Sequence, residues 1–443
     1  MGGVAAIAKA AGHRVTGCDT DVYPPMSSQL AAEGIKLIAG YGADQLTVKP
    51  ELWVIGNVVT RGNPLMEAIL DRGDRYVSGP QWLTENALAG KWVLAVAGTH
   101  GKTTTSSMLA WILEDTGLAP GFLIGGIPNN FGISARLGKQ SYFVIEADEY
   151  DTAFFDKRSK MVHYRPKVAV ITNIEFDHAD IYSDLASIET QFHHFVRTIP
   201  RSGKLIVNGA DRTIDRTLAR GCWTKVERFG VSDGWSASTV GRGRFQVLRQ
   251  GCPIGELGWE LHGEHSLQNA LAAIAAAQAA GVNPARALQA LARFKNVRRR
   301  MELRGTAADV AVWDDFAHHP TAIAATISGL RDKVGNARIL AVLEPRSNTM
   351  KAGVMKDRLP ASLEHADRVF CYSANLGWDA AAVFAPLGVR ARIEGDLERL
   401  VGAIAAEARP GDQVLVMSNG GFGGIHELLL AALSKRTTPA SRA

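Results

Sequence analysis

Residues Leu94 to Thr105 read L-A-V-A-G-T-H-G-K-T-T-T, an apolar strand that runs straight into a glycine-bounded loop carrying a lysine and hydroxyls. Gly98 and Gly101 let the backbone turn tightly and approach phosphate oxygens. The helical pattern that follows (Met108, Leu109, Ile112, Leu113) starts with unpaired N–H groups aimed at the same place. Lys102 supplies a positive charge with the reach for β and γ phosphates, and Thr103 a hydroxyl for a magnesium ion. Val96 stands where the general G-x-x-x-x-G-K-[ST] pattern has its first glycine, so the loop is a shorter variant. Strand, loop and helix in this order indicate a nucleotide-binding α/β core, with Gly98, Thr99, His100, Gly101, Lys102, Thr103 and Thr104 as the expected cradle.

Outward from this loop, 443 residues at about 150 per domain point to three domains with ample length for several cores. A formal net charge of +5 is spread along the chain apart from the short run Arg298 to Arg300, which suits small anionic substrates as well as it suits nucleic acid, and a nucleic-acid role is not expected. Cys18, Cys222, Cys252 and Cys371 are scattered without C-x-x-C spacing, so neither a disulfide framework nor a zinc site is expected, and a reducing cytoplasm fits. The apolar start Val4 to Ala8 is broken by Lys9, and no run approaches the ~18 apolar residues of a membrane span. Ala6 stands where a myristoylation signal needs Ser or Thr. The expectation is a cytoplasmic monomer that neither inserts into membranes nor binds nucleic acid.

Gly2, Gly3 and the helix-like Val4 to Ala11 resemble the second half of a strand-loop-helix unit whose strand is missing. Arg14 to Asp19 then reads as a short strand ending in an acid, a place where nucleotide-binding units contact ribose, so Asp19 is a candidate substrate residue. Further strands are expected at Leu52 to Asn57 and Tyr76 to Ser78, with a first boundary near residue 88. In the central segment, Phe143 to Ile145 leads into Glu146-Ala147-Asp148-Glu149, and Val168 to Ile171 into Thr172-Asn173. Both patterns suit buried parallel strands that deliver polar groups at their carboxyl ends. An Ala-rich helix at about Leu267 to Ala280 precedes the basic run, which marks a second boundary near residue 297. Strands at Val310 to Asp314, Ile339 to Leu343, Arg368 to Tyr372 and Val414 to Ser418 complete a third α/β unit.

Residues at these strand ends carry the chemistry. Glu146 is placed to bind magnesium and to offset the crowding of negative charge between ATP and an acidic substrate. His178, in T-N-I-E-F-D-H-A-D, follows the next strand beside Asp177 and Asp180 and is a candidate metal ligand, whereas His193-His194 fall in a helical pattern with Phe192 and Phe195 and read as structural. His262 to Asn269 offers polar side chains to bound an adenine ring. The pair His318-His319 is open between a metal site and a helix entry before Pro320.

The set G-T-H-G-K-T-T (Gly98 to Thr104), E-A-D-E (Glu146 to Glu149), N-I-E-F-D-H (Asn173 to His178), H-S-L-Q-N ending at Asn269, R-M-E from Arg300 and D-D-F-A-H-H-P from Asp314, in this order, resembles the bacterial Mur ligase family. The resemblance spans nearly the whole chain. It implies an α/β, three-domain architecture: an N-terminal Rossmann-like UDP-sugar binder (1–88) without its first strand, a central P-loop ATPase domain (89–297), and a C-terminal Rossmann-like domain (298–443) that brings the amine. By the same resemblance Lys102 is the phosphate lysine. Thr103, Glu146 and His178 are metal residues, Lys102, Glu146 and His178 the catalytic set, and Asn269, Arg300 and Asp315 hold adenine, phosphates and ribose. ATP and Mg2+ are the implied co-substrate and cofactor.

Within the family, E-P-R-S-N-T-M (Glu344 to Met350), S-N-G-G-F-G-G-I-H (Ser418 to His426) and V-Y-P-P-M-S (Val22 to Ser27) are similar to the branch that joins a recycled murein tripeptide, L-alanyl-γ-D-glutamyl-meso-diaminopimelate, to UDP-N-acetylmuramate. A peptide with several carboxylates calls for a planar cationic fork and a roomy wall, which Arg346 with Ser347 and Asn348, and Gly420 to Gly424, would supply. The alternatives are the L-alanine-adding branch, a more distant folate-type polyglutamate ligase, and, in another class, a nucleotide-dependent switch or binding module. No lysine occurs between His178 and Gly203, so the carbamylated lysine of several family members has no counterpart there, and D-N-P-R is absent as well.

Overall fold

The structure, a computed structural model, describes residues 1–20, 26–241 and 243–437. Val22 to Pro25 of the V-Y-P-P-M-S motif therefore lie outside the described residues. The chain divides into two compact units. The first comprises Met1–Phe176, Asp184–Trp259 and Gln268–Lys295, and the second Asp177–Ser183, Glu260–Leu267 and Asn296–Ala443.

In the first unit the phosphate-loop strand Trp92–Ala97 is apolar at every position, because it lies inside a sheet covered on both faces. It pairs in parallel with Val168–Ile171 on one side and Tyr142–Glu146 on the other. This register puts Val96 opposite Glu146 and Ala97 opposite Ile171, so the loop and both polar clusters leave the sheet at one edge. Lys204–Asn208 and Lys225–Phe229 extend the parallel arrangement. Beyond them Trp235–Gly241, Arg244–Arg249 and Cys252–Gly258 form an antiparallel ribbon that the sequence reading did not foresee. The helix Lys102–Asp115 buries Met108, Leu109, Ile112 and Leu113 as its pattern requires, and the Ala-rich helix runs Glu264–Ala279.

The N-terminal strands associate as two separate parallel pairs, Thr16–Asp19 with Lys36–Ala39 and Trp53–Ile55 with Tyr76–Ser78. A small core of Ile55, Leu65, Met66 and Ile69 backs them, and Phe154 and Phe155 pack against it. Those two phenylalanines belong to a hairpin, Asp151–Ala153 paired with Asp156–Ser159, which follows the E-A-D-E cluster directly.

The second unit holds a sheet in the order Glu302–Ala307, Val310–Asp315, Gln413–Met417, Ile339–Leu343, Arg368–Tyr372, Ala391–Glu394, parallel except for its first pair. All four of its expected strands fall within one residue of the sequence reading, and the core of Val312, Leu340, Val342, Val414 and Val416 packs against the helices Leu397–Glu407 and Ile425–Thr437. Among the described residues, no helix is long and apolar enough to cross a membrane.

Asp211 ties the loop after Val168–Ile171 in place. One oxygen caps the helix Arg212–Ala219 by accepting from Thr213 N and Ile214 N, and the other accepts from Ile174 N at 2.9 Å. Replacing Asp211 by Ala removes the cap and leaves the Ile174 N–H without its acceptor. The expected loss is about 2 kcal/mol, read as an earlier urea transition of the full chain.

Candidate active site

Two glycines shape the phosphate loop. Gly98 has φ +132°, and a Cβ there would lie 2.0 Å from the Thr172 hydroxyl; Gly101, at φ +81°, precedes the first helical residue, and a Cβ there would lie 2.4 Å from Asn269 Oδ1. The loop is also stitched to the neighbouring strand end. Thr99 N donates to Asn173 O at 3.1 Å, His100 N to Asn173 Oδ1 at 2.8 Å, and the Thr172 hydroxyl to His100 O at 2.6 Å. Thr99 Oγ1 accepts from Glu175 N at 2.9 Å. The cluster T-N-I-E is thus the outer wall that holds the cradle's shape. Thr104 lies half-buried in the first turn of the helix.

Lys102 is deeply set. Its ammonium donates to Gly98 O at 2.6 Å and to Glu149 Oε2 at 2.7 Å, with Asp148 Oδ1 at 4.0 Å. Burial disfavours its charge, yet Glu149, Asp148 and Glu146 outweigh burial and raise its pKa above the ordinary lysine value, so it stays protonated. Glu149 is almost wholly buried. The sequence reading singled out Glu146 from E-A-D-E and passed over Glu149, although the density of acids there was the available signal.

Glu146 ends its strand with both oxygens engaged, Oε1 accepting from Thr103 Oγ1 at 2.8 Å and Oε2 from Gly125 N at 2.7 Å. Burial and then the charge of Asp148 push its pKa up, against the Gly125 N–H, Lys102 and Thr103. A hydroxyl and a carboxylate that strain against desolvation are hard oxygen donors in want of a cation, and this donor set fits magnesium. Asn269, expected to bound adenine, lies in this unit against Gly101 and accepts from Thr105 Oγ1 at 3.2 Å.

Asp19 sits at the end of its strand, where Oδ1 accepts from Thr20 N at 2.7 Å and from the Tyr41 hydroxyl at 3.0 Å. His193, on the inner face of the helix Leu185–Val196, is buried, and His194 is exposed.

In the second unit, Asp177 and its neighbours form a separate cluster. Asp177 Oδ1 accepts from His178 N at 2.7 Å and from Thr349 Oγ1 at 3.0 Å, and Asp180 Oδ2 accepts from Asn348 Nδ2 at 2.7 Å. His178 adopts φ +52°, in the left-handed region that non-glycine residues seldom occupy. Burial works against the Asp177 carboxylate, but the charges of His178 and His318 prevail and take its pKa down to about 2. His319 caps the helix Pro320–Val334 by accepting from Thr321 N, the helix-entry role left open by the sequence.

Asp315 is buried and accepts from Met301 N and Ala317 N at 2.8 Å each and from Thr326 Oγ1 at 3.2 Å. Arg300 stacks over the Phe316 ring at 5.0 Å. Its neighbour Arg299, which the sequence reading noted only as part of the basic run, ties the glycine-rich segment down by donating to Ser418 O and Gly420 O at 2.7 Å each and pairing with Asp314. Arg346 is exposed and donates to no group among the described residues, while its guanidinium lies close against Gly420, where a Cβ would come 1.5 Å from Nη1. Ser347 caps the short helix Asn348–Lys351 by accepting from Met350 N.

Family models match along most of the chain: "Mur ligase family, catalytic domain" over residues 1–91, "Mur ligase middle domain" over 96–277 and "Mur ligase, glutamate ligase domain" over 299–420. The chain is 54% identical to the UDP-N-acetylmuramate–L-alanyl-γ-D-glutamyl-meso-2,6-diaminoheptandioate ligase of Escherichia coli, covering 99% of this chain and 97% of the relative. A UDP-N-acetylmuramate–L-alanine ligase of a Mycobacterium species is 32% identical, over 100% and 95%. Among solved structures, a murein peptide ligase from Psychrobacter arcticus superposes with TM-score 0.77 at 42% identity, covering 99% of this chain and 97% of that one.

Gly101→Ala would force a side chain into both a left-handed backbone and the Asn269 amide. The expected result is a loss of ATP-analogue affinity of about tenfold or more with the circular dichroism spectrum preserved, as measured by calorimetric titration.

Proposed function

The chain belongs to the Mur ligase family, and on that footing we propose that it joins the tripeptide L-alanyl-γ-D-glutamyl-meso-diaminopimelate to UDP-N-acetylmuramate, with ATP cleaved to ADP and phosphate, in peptidoglycan recycling. The observation that carries this reading is the full-length likeness to the tripeptide-adding relative, 54% against 32% for the L-alanine-adding one at equal coverage. The guanidinium of Arg346, which donates to no group among the described residues, suits it too, since a peptide with several carboxylates calls for cationic forks beyond the one that a single alanine carboxylate would need.

In the reaction, an oxygen of the lactyl carboxylate attacks the γ-phosphorus, the bond to the β–γ bridging oxygen breaks, and ADP leaves an acyl phosphate behind. The free α-amine of the tripeptide then attacks the acyl carbon. The carbon–oxygen bond to phosphate breaks, and the proton shed by nitrogen goes to the departing phosphate. Lys102 offsets charge on the transferred group by trading its contacts with Gly98 O and Glu149 for phosphate oxygens. Thr103 and Glu146 would hold magnesium, which when bound supplies neutralisation of the phosphate charge. His178 joins them as a proposed metal residue on the strength of the resemblance. Asp19 is proposed for the sugar nucleotide, Asn269, Arg300 and Asp315 for the nucleotide, and Arg346, Ser347 and Asn348 for the peptide. The divisions near residues 88 and 297 are proposed to separate these three tasks, in a single chain working in the cytoplasm, where ATP and sugar nucleotides are at hand.

Phosphate release with ATP, magnesium and UDP-N-acetylmuramate is expected to depend on the tripeptide and to stay near background with L-alanine; the reverse preference would move the chain to the L-alanine-adding branch, and release without any amine acceptor would point to a switch. Lys102→Ala is expected to abolish ligation while preserving the fold. Arg346→Ala is expected to raise the KM for tripeptide about tenfold or more with the KM for ATP unmoved, in the same assay.

A further inference from the structure

The first chemical step presses a carboxylate against a triphosphate, so cations are needed on both partners. Lys102 serves the phosphates. A second lysine stands at the same strand end with no role so far. Lys160 Nζ lies 3.4 Å from Asp148 Oδ2 and donates to the Tyr150 hydroxyl at 2.7 Å, while the other oxygen of Asp148 faces Lys102 at 4.0 Å. Asp148 therefore spaces two ammonium groups across one strand end, two residues beyond Glu146. An ammonium has three N–H donors, and these contacts occupy two of them. The Lys160 side chain is 19% exposed, so its third donor has a route to a ligand.

Its placement gives it a side. Lys160 follows the Asp151–Ser159 hairpin, which is anchored to the N-terminal segment by Phe154 and Phe155 in the Ile55 core and by Asn57 Nδ2 donating to Asp151 O and Oδ1 at 2.9 Å each. The Met1 side chain lies against Gly56 and Gly79, directly after the strands Trp53–Ile55 and Tyr76–Ser78, at the carboxyl edge where parallel α/β sheets bind their ligands. Burial and then the charge of Lys160 lower the pKa of the Met1 amino group, against Asp19, which places Lys160 within Coulombic reach of this edge as well as beside Asp148. The hairpin thus holds a lysine between the edge proposed for the sugar nucleotide and the loop proposed for ATP, on backbone bonds from Lys160 N to Tyr150 O and from Met161 N to Asp148 O.

We infer that Lys160 receives the lactyl carboxylate of UDP-N-acetylmuramate and positions it for attack on the γ-phosphate. This rests on the ligase reading above. Lys160→Gln is the informative variant, because an amide keeps hydrogen bonds to Asp148 and Tyr150 while removing the charge. Lys160→Arg restores the charge. In the full chain, with ATP, magnesium and tripeptide, Lys160→Gln is expected to raise the KM for UDP-N-acetylmuramate about tenfold or more, with the KM for ATP within about twofold of wild type and the thermal midpoint unchanged. Lys160→Arg is expected to recover most of the loss. Direct binding of UDP-N-acetylglucosamine, which carries the same diphosphate but no lactyl group, is expected to be the same in wild type and Lys160→Gln. Equal weakening of both sugar nucleotides would give Lys160 to the diphosphate and overturn the assignment. An unchanged KM for UDP-N-acetylmuramate, or a raised KM for ATP with a lowered thermal midpoint, would overturn it as well. Wild-type turnover in the same assay tests the ligase reading separately, since its absence would remove that reading whatever the variants do.

Discussion

A protonated lysine held in a nearly closed nook is the constraint around which the first unit is built. Lys102 rests on the carbonyl of Gly98 and the carboxylate of Glu149, and an ammonium placed there without such partners would lose its proton or unfold its surroundings. Glu149, almost wholly buried, has Lys102 beside it at 2.7 Å to offset its charge. The two charges therefore support one another, each offsetting the desolvation of its partner. The pair's energetic worth to folding is small, since buried ion pairs roughly balance Coulomb gain against desolvation. Its worth to chemistry is larger. It keeps a positive charge next to a glycine loop whose backbone has no room for a side chain, so the charge is already oriented before any ligand arrives.

The sheet makes this possible by delivering three strand ends to one edge. Trp92–Ala97 brings the loop, Tyr142–Glu146 the acids, and Val168–Ile171 the Thr172-Asn173 brace. Because the strands are parallel and in register, a loop and two polar clusters separated by tens of residues in sequence converge without any of them departing from ordinary strand geometry. Asp211 extends the same logic one strand further, since its side chain joins the Ile174 backbone to the start of a helix. The hairpin that carries Lys160 grows out of the acid cluster as well, so Glu146, Asp148, Glu149 and Lys160 share one short stretch of chain, residues 146 to 160.

Buried strands were legible in the sequence because a strand covered on both faces is a continuous apolar run. Tyr76–Ser78, Ile339–Leu343 and Arg368–Tyr372 begin and end where their patterns do. The ribbon from Trp235 to Gly258 was not legible for the converse reason. Its strands are largely solvated, and stretches such as Ser236-Ala237-Ser238-Thr239 carry no alternation to read. In the site, the loop residues were readable from spacing, but partner choice was not. Glu146, Asp148 and Glu149 are alike in type, and once the strand ends after Glu146 its period of two no longer says which acid turns inward. Asn269 lies 164 residues from Thr105 in the chain, so only the folded structure brings it to the Gly101 backbone.

The arginines of the second unit show how one residue type divides between framework and recognition. Arg299 spends its donors on two carbonyls of the glycine-rich segment and on Asp314, which His426 and Arg304 also approach, so it fixes a stretch of backbone that has few side chains to fix itself. Arg300, one residue on, has its guanidinium over an aromatic ring. Arg346 lies exposed against Gly420, in the segment that Arg299 secures. A run of like charges in the sequence therefore does not act as a patch. Asp314 draws Arg299 inward, the Phe316 ring lies under both Arg299 and Arg300, and Arg298 is left exposed beside them, so three adjacent like charges meet three different surroundings.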